Sequence, residues 1–176
     1  MSANQLEAHV AKLQEALGGM LVRLERDRQN VPIFWVKREQ VIDALRAAKE
    51  TNGLEYHFLS DLTAYDDTDG EDEAQGRFVV VYQLYSPQGK TRIRFKTRAA
   101  DGVSVPTATV LWAAANWAER EVFDLLGVKF DGHPDLRRIL LDVRWQGHPL
   151  RKDYHWRKYQ LFNDPEPIPE HLLKEE

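Results

Sequence analysis

The side chains best equipped for chemistry crowd into residues 117–153. Glu119, Glu121 and Asp124 lie close together on a stretch with helical period, with Arg120 among them. Glu121 and Asp124 are three apart, so they share a face, and Trp117 lies on that face one turn earlier. Two neighbouring carboxyls can divide acid and base roles between them. On the last turns of one helix, beside arginines, they fit an ion-paired cluster better. Carboxylates near a helix C-terminus oppose its macrodipole and call for cations. Arg137, Arg138, Arg151 and Lys152 follow downstream, with Asp153 next to them. Arginine binds a carboxylate through two parallel hydrogen bonds, which suits holding a trailing segment in one path.

Two echoes fall in the same region, Gly132-His133-Pro134 and Gly147-His148-Pro149, each followed closely by an arginine. His133 and His148 with a nearby acid could ligate a metal. No short-range pair of ligands supports that reading, and each triplet is expected to be a rigid bend: proline fixes its own φ and pushes the histidine toward extended geometry. The chain has no Gly-x-Ser-x-Gly, no phosphate-binding loop, no dinucleotide fingerprint and no His-Glu-x-x-His. It has no cysteine, which excludes disulfides and every zinc or iron–sulfur site built on thiolates. Trp112, Trp117, Trp145 and Trp156 are expected as core or interface anchors rather than stacking platforms.

An ordered frame must position these residues. Leu6, Val10, Leu13 and Leu17 follow the helix period, with Gly18-Gly19 as a stop. Extended runs at 21–25 and 33–36 flank a polar turn at 27–30, and a second amphipathic helix spans about 39–50. A strand is expected at Tyr56–Leu62. Residues 66–73 hold six acids in eight positions and read as a solvated loop. The run Phe78–Tyr85 is apolar on both faces and is expected at the centre of the sheet. Ser86-Pro87-Gln88-Gly89 turns it into Thr91–Arg98, which alternates strictly: Ile93, Phe95 and Thr97 inward, and Arg92, Arg94, Lys96 and Arg98 outward as a basic row. That row could bind nucleic acid. The net charge of -4 argues instead for a sheet face or edge guarded by charge, with the acidic loop as counter-charge. A third helix is expected over Thr109–Leu126, capped by Thr107 or Thr109 and ended by Gly127.

The fold class is therefore α/β of the α+β type: a mixed, largely antiparallel sheet flanked by helices over residues 1–129, followed by an extended partner-binding arm, 130–176. The arm has few apolar residues and is expected to be mobile, with rapid amide exchange over 130–160, until a partner orders it. Composition (43% hydrophobic, 30% charged) is that of an ordinary globular chain. No apolar run approaches the roughly 18–20 residues of a spanning helix, and the start lacks a signal-peptide pattern, so membrane association is expected only through partners.

The segment Asn116–Leu140, NWAEREVFDLLGVKFDGHPDLRRIL, closely resembles the signature of the C subunit of respiratory complex I, and Gly147–Tyr154, GHPLRKDY, looks like the second hallmark of that family. The resemblance spans roughly residues 6–155 and is most specific over 116–154. It implies a non-catalytic subunit in the peripheral arm of an NADH:quinone oxidoreductase, in its separate, unfused form. The implied partners are the quinone-site subunit (the D subunit) and its cluster-bearing neighbours. The implied location is peripheral, on the cytoplasmic side of a bacterial inner membrane. The complex would use FMN, iron–sulfur clusters, NADH and quinone, with none bound by this chain. Trp117, Glu119, Arg120, Glu121, Asp124, His133, Pro134, Arg137, Arg138, His148, Arg151, Lys152 and Asp153 are the residues expected to anchor the arm or meet a partner. Related ferredoxin-driven, deazaflavin-driven or hydrogenase assemblies use similar subunits. A nucleic-acid module on the basic strand, and a metallohydrolase on the two histidines, are the readings outside this family.

Overall fold

The computed structural model of the chain describes residues 3–68, 76–155, 157 and 160–165. In chain order the elements are α1 (Ala3–Leu17), β1 (Leu21–Arg26), β2 (Pro32–Val36), α2 (Val41–Glu50), β3 (Phe58–Asp66), β4 (Phe78–Ser86), β5 (Thr91–Ala99), β6 (Val105–Pro106), α3 (Ala115–Leu126) and β7 (Phe130–Asp131). The turn between β1 and β2 closes on Asp27, whose carboxylate accepts from the amides of Gln29 at 2.9 Å and Val31 at 2.8 Å. Asn30 takes the left-handed conformation there (φ 63), which asparagine tolerates better than most residues. Between β4 and β5, Ser86 Oγ accepts the amide of Gly89.

The main sheet runs β1-β2-β5-β4-β3. Its pairs are antiparallel except β2 with β5, which run parallel with Trp35 opposite Lys96. The expected mixed, largely antiparallel α+β architecture is what the chain adopts. One placement differs. The basic strand β5 occupies the centre, and the apolar β4 lies one strand away. Order within a sheet is set by which edges pair, and β2 reaches β5 only after α2, β3 and β4 have intervened, so local hydrophobicity does not reveal it.

Helices α1, α2 and α3 cover one face. Val10, Leu13 and Leu17, with Val41, Ala44 and Leu45, and with Ala115, Val122 and Leu126, pack onto the inward residues of the strands, among them Phe34, Tyr82 and Phe95. The other face carries only Ile33, Trp35, Val79 and Val81 as a small cluster.

Boundaries shift at β3 and at α3. β3 extends to Asp66, which continues the inward alternation of Leu62 and Ala64 and is buried. It is therefore not part of the expected solvated loop, of which residues 69–73 lie outside the described residues. The third helix begins at Ala115, not at Thr109. A separate 3-10 turn, Ala108–Val110, precedes it, capped by Thr107, whose hydroxyl accepts from Thr109 N. Glu119 of α3 accepts the Ala108 amide and so ties the turn to the helix.

Past residue 130 the chain is irregular, as expected of an arm, yet it is not loose. β7 pairs in parallel with β6, and Phe130 and Leu136 pack against the main core. No helix among the described residues is long and apolar enough to cross a membrane.

Candidate functional site

The end of α3 is where the arm is fastened. Gly127 takes the left-handed conformation (φ 78) that closes a helix, and its amide returns to Phe123 O at 2.8 Å. A Cβ at this position would meet Arg151 Nη2 at 2.6 Å and His148 at 2.7 Å. Glycine is thus required twice, for its φ and for the close approach of the arm.

Asp124, fully buried, organises the junction. One carboxylate oxygen accepts from Arg138 at 2.6 Å. The other accepts the consecutive amides of Ile139, Leu140 and Leu141 at 3.0, 2.8 and 2.9 Å. Burial pushes its pKa up, but the amides of Leu141 and Leu140, the Arg138 guanidinium and the Ile139 amide outweigh it and hold the carboxyl below its ordinary value. Arg138 also donates to the carbonyls of Asp124 and Gly147, and Arg120 donates to those of Arg137 and Arg138. His148 Nδ1 donates to Asp124 O at 2.8 Å and so shares that carbonyl of the helix end with Arg138. Burial, ahead of the nearby arginines, lowers the pKa of this histidine, so it is neutral at pH 7.

The second hallmark forms a separate staple. Arg151 Nε donates to Leu126 O at 2.6 Å while its two terminal nitrogens grip Asp101, each at 3.0 Å. The amide of Lys152 donates to Asp66 Oδ2. Arg77 binds Asp66 at 2.6 Å and Asp153 at 2.9 Å, tying the end of β3, the start of β4 and the arm into one network. The Arg77 hydrogen bond is the main reason the Asp66 carboxyl sits below its ordinary value, with the Lys152 amide adding to it against the cost of burial.

The expected four-residue cluster on α3 is divided. Arg120 and Asp124 join the junction. Glu121 is exposed on the outside of the helix, because the arm wraps over Asp124 and leaves its neighbour uncovered. Glu119, fully buried, does not meet an arginine. Its carboxyl accepts from Thr107 Oγ1 and from the Ala108 amide, each at 2.6 Å. Burial pushes its pKa up to about 7, against the opposing pull of those two donors. The ring of His133 lies 4.0 Å away. His133 accepts the Asp135 amide at Nδ1, so Nε2 carries the hydrogen and donates to Asn116 O at 3.1 Å. The buried hydroxyl of Tyr82 has no hydrogen-bond partner among the described residues, and burial, followed by the field of Glu119, drives its pKa well up.

Pro134 is exposed in the turn after His133, and Arg137 pairs with Asp135 at 2.9 Å beside it. Trp117 is 66% exposed with the Arg120 guanidinium stacked 5.3 Å from its ring centre. Leu140, Val143 and Leu150 of the arm are also exposed. Asp66, Arg77 and Asp101 have roles that sequence reasoning misses. The only signal is the continued alternation Leu62, Ala64, Asp66; nothing local marks Arg77 or Asp101 as partners of residues so distant in the chain.

Comparison with known proteins adds the family. Residues 34–160 match the family described as respiratory-chain NADH dehydrogenase, 30 Kd subunit. The NADH-quinone oxidoreductase C subunit of Geobacter sulfurreducens is 46% identical over 146 residues, covering 82% of this chain and 86% of the relative. The fused C/D subunit of Nitrosospira multiformis is 40% identical over 148 residues, and this chain spans 24% of its length. Among solved structures, the trypsin-resistant fragment of Nqo5 aligns with a TM-score of 0.58 at 29% identity, covering 75% of this chain and 99% of the fragment. A chain of an archaeal respiratory membrane complex, the membrane-bound sulfane sulfur reductase, aligns with a TM-score of 0.69 at 25% identity, covering 93% of this chain and 98% of its own. The chain belongs to the 30 Kd subunit family, the C subunits, of the respiratory-chain NADH dehydrogenases.

Proposed function

We propose that this chain is a docking subunit of the peripheral arm of an NADH:quinone oxidoreductase. In this reading it supports electron transfer from NADH to quinone coupled to proton translocation, and supplies no catalytic residue. The observation that carries the reading is the junction at Asp124. Four donors on one buried carboxylate hold the arm against α3, and Trp117 of α3 and Leu140, Val143 and Leu150 of the arm are left exposed. An exposed indole backed by a positioned arginine is the kind of anchor that dominates protein interfaces. Relatives in which the C and D subunits form one polypeptide support the D subunit, which carries the quinone site, as the main partner. Cluster-bearing subunits are the further neighbours. FMN, iron–sulfur clusters, NADH and quinone belong to those other subunits, and attachment to the cytoplasmic face of the inner membrane runs through them.

A tagged pull-down from the native host in mild detergent tests this. A multi-subunit complex with flavin, iron–sulfur clusters and NADH:quinone activity is expected. Trp117→Ala and Arg138→Ala are expected to lower the amount of assembled complex several-fold, at roughly 2 kcal/mol or more for an interface anchor, while turnover per complex stays unchanged. Normal assembly with slow turnover would contradict a purely docking role. The alignment with the archaeal membrane complex favours one runner-up, the equivalent subunit of a related assembly with another electron donor. Recovery of the complex without flavin or NADH oxidation would select it.

A further inference from the structure

The sheet face turned away from the helices has no covering layer among the described residues. Its apolar centre, Ile33, Trp35, Val79 and Val81, is nonetheless buried. Cationic side chains do the shielding: Arg23, Lys96 and Arg98 lie over the Trp35 ring at 4.4, 5.2 and 5.4 Å. Strand alternation puts Arg92, Arg94, Lys96 and Arg98 on this face, and β5 is central, so the basic row runs down the middle of the sheet rather than along a guarded edge.

Part of this charge is answered within the chain. Arg94 pairs with Asp27 at 2.7 Å, Arg98 with Asp67 at 2.6 Å, and Arg23 with Glu25 at 2.7 Å. Part is not. Arg92 stacks on Tyr85, and Lys96 on Trp35 and Tyr65, and neither has a carboxylate partner among the described residues. At one end of the row Arg23, Lys37, Arg38 and Arg98 line a cleft beside Trp35, with Glu39, which pairs with Arg38, as the one acid among the lining residues. Arg98 is only 8% exposed, and its Nε–H is buried without a hydrogen-bond partner among the described residues. At the other end Arg92 and Arg94 line a second cleft with Gln83 and Gln29. This local excess stands out in a chain whose net charge is -4.

We propose that this uncovered face is a second docking surface, which takes an acidic segment of a neighbouring protein subunit. Its carboxylates reach Arg92 and Lys96 and enter the cleft at Arg98. Guanidinium groups present the fork that carboxylates match, and long cationic stems cover an apolar floor that a protein segment can also bury. Nucleic acid fits less well. The rings of Trp35, Tyr65 and Tyr85 are already capped by cations, which leaves no bare ring on which a base can stack. The proposal rests on the reading that the chain works inside a larger assembly, and concerns a surface separate from the α3–arm junction.

Carbodiimide joins a lysine amine to a carboxylate only where the two touch. Applied to the intact complex at low salt and read by peptide mass spectrometry, it is expected to link Lys96 or Lys37 to an Asp or Glu of another subunit. Lys96→Arg should remove the Lys96 link and leave assembly normal. Lys96→Glu should weaken assembly about tenfold at low salt, with the difference from the parent shrinking as salt rises. Should that variant fail to fold, Arg92→Glu, on an exposed side chain, carries the same expectation. Links confined to acids of this chain itself, including those of its acidic loop, overturn the proposal. So does nucleic acid recovered with β5 peptides after ultraviolet crosslinking. If the tagged chain recovers no complex at all, it is the docking-subunit reading that fails; if it recovers the complex but the links stay internal, only the present proposal fails.

Discussion

At the scale of single residues, Glu119 and Asp124 show how position alone separates two carboxyls on one helix. Asp124 meets a guanidinium and three amides and stays ionised. Glu119 meets a hydroxyl and one amide in a fully buried site and holds its proton up to a pKa of about 7, against an ordinary 4.5. Below that ordinary value the folded and unfolded states are both protonated. As pH rises toward 7 the unfolded state ionises while the folded state keeps its proton, so the contribution of this group to stability falls, by about 3 kcal/mol in all, and levels off above 7. Glu119→Gln is therefore expected to flatten the stability profile between pH 4.5 and 7 relative to the parent, as read by denaturant unfolding at several pH values. Parallel profiles for the two proteins would show that the carboxyl titrates normally.

At the scale of elements, the last turn of α3 and residues 138–141 of the arm depend on each other. Asp124→Asn has no good orientation. Its amide nitrogen must face either Arg138 or the three backbone amides, and both are donors. Breaking a buried, hydrogen-bonded charge pair of this kind costs about 3–5 kcal/mol. The structure also revises the expectation of rapid exchange across the whole arm. The amides of Ile139, Leu140 and Leu141 should be protected in the free subunit, and the Asn variant should expose them. Fast exchange at all three positions in the parent would mean that the junction forms only with a partner.

At the scale of the molecule, arm and domain share structure across residue 129. β7 completes a pair with β6, Phe130 joins the core, and Asp66 and Arg77 lose partners if the arm is absent. A chain ending at Lys129 is expected to melt lower by at least about 5 °C, since losing one buried phenylalanine alone costs about 3–5 kcal/mol. An unchanged melting temperature would make the arm a separable appendage.

Much of this is legible in the residues. The alternation of Thr91–Arg98, the period of α1 and α2, the glycine after α3 and the absence of cysteine each report a local requirement, and local requirements are written in local pattern. The family signature over 116–154 likewise marks the segment that becomes the junction. The tertiary structure alone decided which strand lies at the centre of the sheet, that Asp66 belongs to β3 and to Arg77, and that Glu119 answers Thr107 instead of an arginine. Each of these is a pairing between different elements, beyond the reach of local pattern. The donors that meet a buried carboxyl decide whether it is held charged or holds its proton, and those donors are a property of what packs around a residue, not of its neighbours in sequence.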